Sequence, residues 1–303
     1  MRYVTLNVMN LPFTIAVDDD QCPRGKSVET PGAIAGMNRA VDGVRNLLVD
    51  VDRRFSPFRD DSLVSRFQRG DRTMTRDADF TDVYMLSLLA RAETDGLFDP
   101  YFRGVWDPTG LVKGWAVDRA VSGILMPLVS SGRLPPTGIN AGGDMLLLPR
   151  RGGESWHVGI VDPHDRGSYV AAMDIRSGAV ATSGTSERGE HVVRRHHDVL
   201  QATVVAESLV DADVWATALL GAPAAELDRL VADNSLTAFL VMSQGDVRDY
   251  AAGSPVDPVN AHVMSPGDVH GVPASTTEAA DPSHDAMASC IPARRSDDQE
   301  IPR

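Results

Sequence analysis

Apolar positions along this chain change period several times, and each change predicts a boundary. Tyr3 to Val8 and Phe13 to Val17 are short runs of β-branched and aromatic residues separated by Leu11-Pro12, and they predict two strands. Thr30 followed by Pro31 is the pairing of an N-cap with a first helical residue. Ile34, Met37, Val41, Val44, Leu48, Val51 and Phe55 then recur at helical spacing, which predicts a long amphipathic helix. A second helical pattern runs from about Asp77 through Phe80, Val83, Leu86, Leu89 and Ala90 and must end by Gly96. A third starts near Leu111, passes Lys113, Ala116, Ala120 and Leu128, and stops at Gly132.

From about Ile139 to Ser208 the pattern shifts to short strands, among them Met145 to Leu148, Trp156 to Ile160 and Ala202 to Ala206, separated by Gly, Pro and charged turns. Helical spacing returns over 211–220 and 224–231, followed by one strand-like run, Leu236 to Met242. This order predicts an α+β fold with one continuous core over residues 1–250, its mixed sheets flanked by helices. No aromatic residue occurs after Tyr250, and Pro, Asp, Ser, Gly, His and Ala dominate without traceable period, so 251–303 reads as a disordered tail.

Composition narrows the function classes. A formal net charge of −13 argues against a protein that grips nucleic acid phosphates. Two cysteines, Cys22 and Cys290, stand far apart without ligand spacing, so they build neither a disulfide framework nor a thiolate metal site. The N-terminal residues lack an apolar signal core, and no run approaches the roughly 20 apolar residues of a membrane span. The expectation is a cytoplasmic protein without membrane insertion.

Candidate chemistry sits in five turns. Phe55 to Ser62 ends the long helix, and Ser62 or Asp61 can begin the next one as a cap. Asp95 to Pro100 contains Gly96, which can end a helix in the left-handed region. In Asp107 to Asp118 a Gly-containing turn leads into a helix, so backbone amides can face an anion with Lys113 one turn inside. An ordinary helix start with a solvated lysine fits as well. The spacing is not that of a P-loop. Asn140 to Asp144 carries adjacent glycines that suit either close approach to a flat ligand or a hairpin turn. In Asp211 to Gly221, Asp213 and Thr217 lie four residues apart and share a helix face. Their hard oxygens suit Mg²⁺, although Asp213 alone also reads as an N-cap or first-turn acid.

Taken in order, these segments resemble the ApbE family of FAD:protein FMN transferases over roughly residues 4–245. The resemblance rests on Phe55 to Ser62, Asp95 to Pro100, Asp107 to Asp118, Ile139 to Asp144, Trp156 to Pro163, Ala181 to Gly184 with Glu187-Arg188, and Asp213 to Gly221. It implies an FAD cleft formed by Met9, Phe58, Leu97, Phe98, Asp99, Asp107, Lys113 and Val193. It also implies a magnesium ion held by Asp213, Thr217 and the carbonyl of Gly110. The implied reaction moves FMN from FAD to a Thr or Ser hydroxyl of an acceptor protein and releases AMP, with His191 as base. The chain departs from the family pattern at His191-Val192-Val193-Arg194-Arg195, which lacks the family's Asp-Pro pair. It departs again at Phe58, where Tyr is usual, and at Ser186, where an aromatic residue is common. Two other outcomes stay open: hydrolysis of FAD to FMN and AMP, or FAD binding without turnover.

Overall fold

The computed structural model describes residues 1–19, 31–184, 196–256 and 290–291. Two strands, β1 (Arg2–Val8) and β2 (Leu11–Val17), open the chain as a hairpin. Its two-residue turn is Met9-Asn10, both at φ 57°, the left-handed pair whose twist matches that of the flanking strands. The break therefore falls two residues before the one the sequence pattern marks, and Leu11-Pro12 belongs to β2. Asn tolerates positive φ readily, whereas Pro12 pairs with Asn7 inside the hairpin.

Helix α1 (Pro31–Phe55) buries Met37, Val41, Val44, Leu48, Val51 and Phe55, the stripe its spacing predicts. The short α2 (Leu63–Gln68) starts at Ser62, whose hydroxyl accepts the Ser65 N–H at 3.0 Å. Asp77 caps α3 (Ala78–Glu93) by accepting the Phe80 N–H. The inner face of α3 is Phe80, Val83, Ser87 and Ala90, and Leu89 is 51% exposed, contrary to the apolar spacing. Ser87 is inside because it accepts the indole N–H of buried Trp106 at 2.9 Å, so a polar residue takes a core position.

The third helical pattern divides. Helix α4 (Thr109–Ala120) passes through one wide π turn over Val121–Leu125 into α5 (Met126–Ser130). There follow β3 (Thr137–Ala141), β4 (Asp144–Leu147), β5 (Trp156–Val161), β6 (Tyr169–Ile175), β7 (Gly178–Gly184) and β8 (Val199–Ala206). Helices α6 (Leu209–Gly221) and α7 (Leu227–Asp233) precede β9 (Thr237–Met242), β10 (Val247–Ala251) and β11 (Ser254–Val256).

Nine strands form one sheet in the order β1-β2-β3-β4-β7-β8-β9-β10-β11, and β5 and β6 form a second with β12 (Cys290–Ile291). The helices and the nine-stranded sheet share a core, as the α+β expectation requires, but that core is not the one continuous body expected: β5 and β6 cover the other face of the large sheet in two smaller clusters, around Met145, Leu147 and Val180 and around Phe239 and Val241. Every described strand pair is antiparallel, however, so the strand directions are not mixed. Tight hairpins at Met9-Asn10, Gly142-Gly143 and Ala252-Gly253 impose that direction on the strands they join. β11 and β12 fall within the stretch read as a tail; 257–289 and 292–303 lie outside the described residues. Helices α1 to α5 are inserted between neighbouring strands β2 and β3, and α6 packs on β7, β8 and α4.

Candidate active site

Helix α6 is buried along nearly its whole length, including Leu209, Val210, Ala212, Val214, Trp215, Ala216, Ala218, Leu219 and Leu220. It begins at Leu209, capped by the Ser208 hydroxyl, which accepts the Asp211 N–H at 3.1 Å. Asp213 thus lies in the second turn, past the reach of any cap, and it is 6% exposed. A carboxylate there needs a charged partner. The partner is Lys113 of α4, whose Nζ lies 3.2 Å from Asp213 Oδ2.

Two features of α4 set this meeting. A Cβ on Gly114 would lie 2.9 Å from the carbonyl oxygen of Leu209 and 3.0 Å from the Val210 nitrogen, so only glycine lets α4 approach the start of α6 this closely. One turn on, the Asp118 carboxylate accepts the N–H groups of Leu209 and Val210 at 2.8 and 3.1 Å. Burial pushes Asp118 up to about 6 despite those two hydrogen bonds.

The same lysine is ion-paired with Asp144 Oδ2, and Asp144 is 3% exposed. Asp144 opens β4 directly after Gly142 and Gly143, both at positive φ, and its Oδ1 accepts the Thr182 N–H of β7 at 2.8 Å. On α6, Thr217 is one turn beyond Asp213, and its hydroxyl is 3.2 Å from the Ser183 hydroxyl of β7. Strands β4 and β7 and helices α4 and α6 therefore converge on one polar spot inside an apolar core. Two carboxylates sharing one ammonium carry a formal charge of −1, which suits an additional cation.

Around the start of α4, Asp107 is buried and its Oδ1 accepts the Thr109 N–H at 3.0 Å, so that amide is already taken. The Phe98 ring edge would lie 3.1 Å from a Cβ on Gly110, and the Phe98 N–H donates to the Thr94 hydroxyl. Asp99 pairs with Arg91 of α3 at 3.1 Å and accepts the Tyr101 N–H of its own loop, two residues beyond Leu97. Phe58 is 82% exposed in the turn between α1 and α2, and Met9 sits in the first hairpin, half-buried against the core.

The structure thus brings Lys113, Asp213 and Thr217 together, with Gly110, Asp107 and Phe98 at the start of the helix that carries Lys113. No described contact joins Met9, Phe58 or Asp99 to that cluster. His191 and Val193 lie outside the described residues. Asp144 is the site residue that the sequence reading missed. Its signal was an acid directly after a Gly-Gly turn at the mouth of an apolar strand.

Asp213 and Thr217 offer hard oxygens on one face, the donor chemistry magnesium prefers. Among the described residues no group of three or more His, Cys, Asp or Glu side chains gathers as a metal cage. Two protein oxygens leave room for the water and substrate phosphate that magnesium usually keeps. The donor set fits magnesium on those terms.

Residues 106–240 match the model of the ApbE family. The chain is 28% identical over 155 residues to the FAD:protein FMN transferase of Salmonella typhimurium, covering 44% of this chain and 41% of that protein. The same identity and coverage hold for the Escherichia coli K12 protein of that name. The chain thus spans about two-fifths of the length of the curated relatives it matches. Among solved structures, the ApbE protein of Thermotoga maritima superposes with a TM-score of 0.64 at 18% identity, over 82% of this chain and 97% of that one. The flavin transferase ApbE from Vibrio cholerae gives 0.62 at 17% identity, over 84% and 97%. These two likenesses establish the fold.

Proposed function

We propose that this chain, which matches the ApbE family model over residues 106–240, is an FAD:protein FMN transferase. The reading is carried by one observation: the Lys113 ammonium of α4 lies 3.2 Å from buried Asp213 of α6, beside the hydroxyl-bearing turn of Thr217. An FAD diphosphate at the start of α4 would be held by Lys113, with Asp107 among the FAD contacts and Asp213 and Thr217 serving it through a divalent cation. The exposed Phe58 ring offers a stacking face for an aromatic ligand. Met9, Leu97, Phe98, Asp99 and Val193 complete the proposed FAD contacts.

In the proposed reaction, the oxygen of a Ser or Thr hydroxyl on the acceptor protein attacks the phosphorus of the FMN half. The bond to the AMP phosphate breaks, AMP departs, and the hydroxyl proton passes to His191 as base. Lys113 holds a full positive charge where the departing phosphate gains negative charge. A magnesium ion on Asp213, Thr217 and the Gly110 carbonyl would supply further neutralisation of the diphosphate. No helix among the described residues is long and apolar enough to cross a membrane. The cytoplasmic setting is proposed from the sequence reading.

The test is incubation with FAD, Mg²⁺ and a flavin-accepting subunit, read as a fluorescent protein band that survives SDS. A band is the expected result. AMP released at a rate indifferent to the acceptor would make the protein an FAD hydrolase instead. FAD bound without turnover would make it a binding protein.

A further inference from the structure

We infer that Asp144 is the positioning residue that decides where the Lys113 ammonium rests, and so how readily Asp213 accepts a divalent cation. This rests on the metal reading of the site given above. Lys113 reaches two carboxylates, and they differ in how firmly each is held. Asp144 projects from β4, which is hydrogen-bonded on both sides, to β3 and to β7. Its Oδ1 is fixed by the Thr182 N–H at 2.8 Å, and its Oδ2 takes the lysine. Both oxygens are thereby committed, in a residue 3% exposed.

Asp213 meets the same ammonium at the longer distance of 3.2 Å. A cation on Asp213 must share its carboxylate with Lys113 or displace the lysine from it. Asp144 makes displacement possible, because the lysine keeps a full counter-charge when it lets Asp213 go. Without that counter-charge, Lys113 leans on Asp213, and ammonium and metal compete for one carboxylate.

The probe is Mn²⁺ binding to the full chain without FAD, followed by calorimetry or by the electron paramagnetic resonance of free Mn²⁺. Wild type, Asp144→Asn, Lys113→Met and the double variant are compared. Asp144→Asn is expected to weaken Mn²⁺ binding by about tenfold or more, since a unit charge at contact distance has lost its partner. Adding Lys113→Met to it is expected to restore binding to within about twofold of wild type or better, because the competing ammonium is gone. Structural damage does not produce such a rescue. Unchanged binding in Asp144→Asn overturns the inference, as does weakening that persists in the double variant, where Asp144 would itself be a ligand. Wild type that binds no Mn²⁺ overturns this inference and the metal reading together, which sets that failure apart from the other two. Should Asp144→Asn not fold, Lys113→Met alone decides: tighter binding supports the inference, and unchanged or weaker binding overturns it.

Discussion

A carboxylate in the second turn of an apolar helix demands an explanation at the scale of one residue, and Lys113 supplies it for Asp213. Replacing Asp213 with Ala removes a hard-oxygen donor and a carboxylate paired with the lysine. AMP release from FAD is expected to fall by at least about 100-fold, with the thermal midpoint little changed because Lys113 keeps Asp144; rate and melting are measured on one preparation. Glycines give an opposed pair. Gly114→Ala puts a methyl group 2.9 Å from the Leu209 carbonyl oxygen, costing about 1–3 kcal/mol in denaturant unfolding. Gly123→Ala meets nothing within 4 Å and is expected to gain ~0.5–1 kcal/mol.

Legibility at this scale was uneven, for a physical reason. Asp213 and Thr217 are marked by their own helix, since four-residue spacing fixes a shared face. Asp144 carries no such mark, because its partner lies 31 residues away on another element and the Gly-Gly turn before it has a sufficient explanation as a hairpin. Phe98 and Asp99 were visible as a turn, but only the fold sets Phe98 against Gly110 and ties Asp99 to Arg91.

At the scale of elements, α4 and α6 are locked by Gly114 and Asp118 acting one turn apart. Asp118 holds its proton longer in the folded chain than in the unfolded one, about 6 against 3.8. The folded state therefore binds more protons between those values, and this contribution to stability is full below 3.8 and lost as pH rises through about 6. Unfolding free energy is expected to fall with pH across that window with a slope approaching one proton, and Asp118→Asn to flatten it; denaturant titrations at several pH values read the slope. Element boundaries followed sequence where a stripe or cap dictated them, as with Pro31, Phe55 and Ser62. They departed where a tertiary contact intervened, as with Ser87 under Trp106, or where a local turn won, as with Met9-Asn10.

The whole molecule is tied end to middle by a buried pair. Arg150, between β4 and β5, donates from Nε and Nη2 to Asp18 Oδ2 at 2.8 and 2.5 Å, just past the end of β2. Asp18 is fully buried. Arg150→Met strands that charge and is expected to cost about 3–5 kcal/mol, measured by calorimetric melting. The sheet order was not legible, because the pairing of β2 with β3 spans five inserted helices and no local period reports it.

That insertion bears on how the protein is made. Lys113 leaves the ribosome well before α6 and its Asp213, and β3, the neighbour of β2, emerges only after all five helices. The nascent polypeptide carries Lys113 without its α6 counter-charge until residue 213 has been synthesised. Premature termination anywhere before α6 would yield a product in which Lys113 lacks Asp213 and the close helix contact at Gly114 has no counterpart.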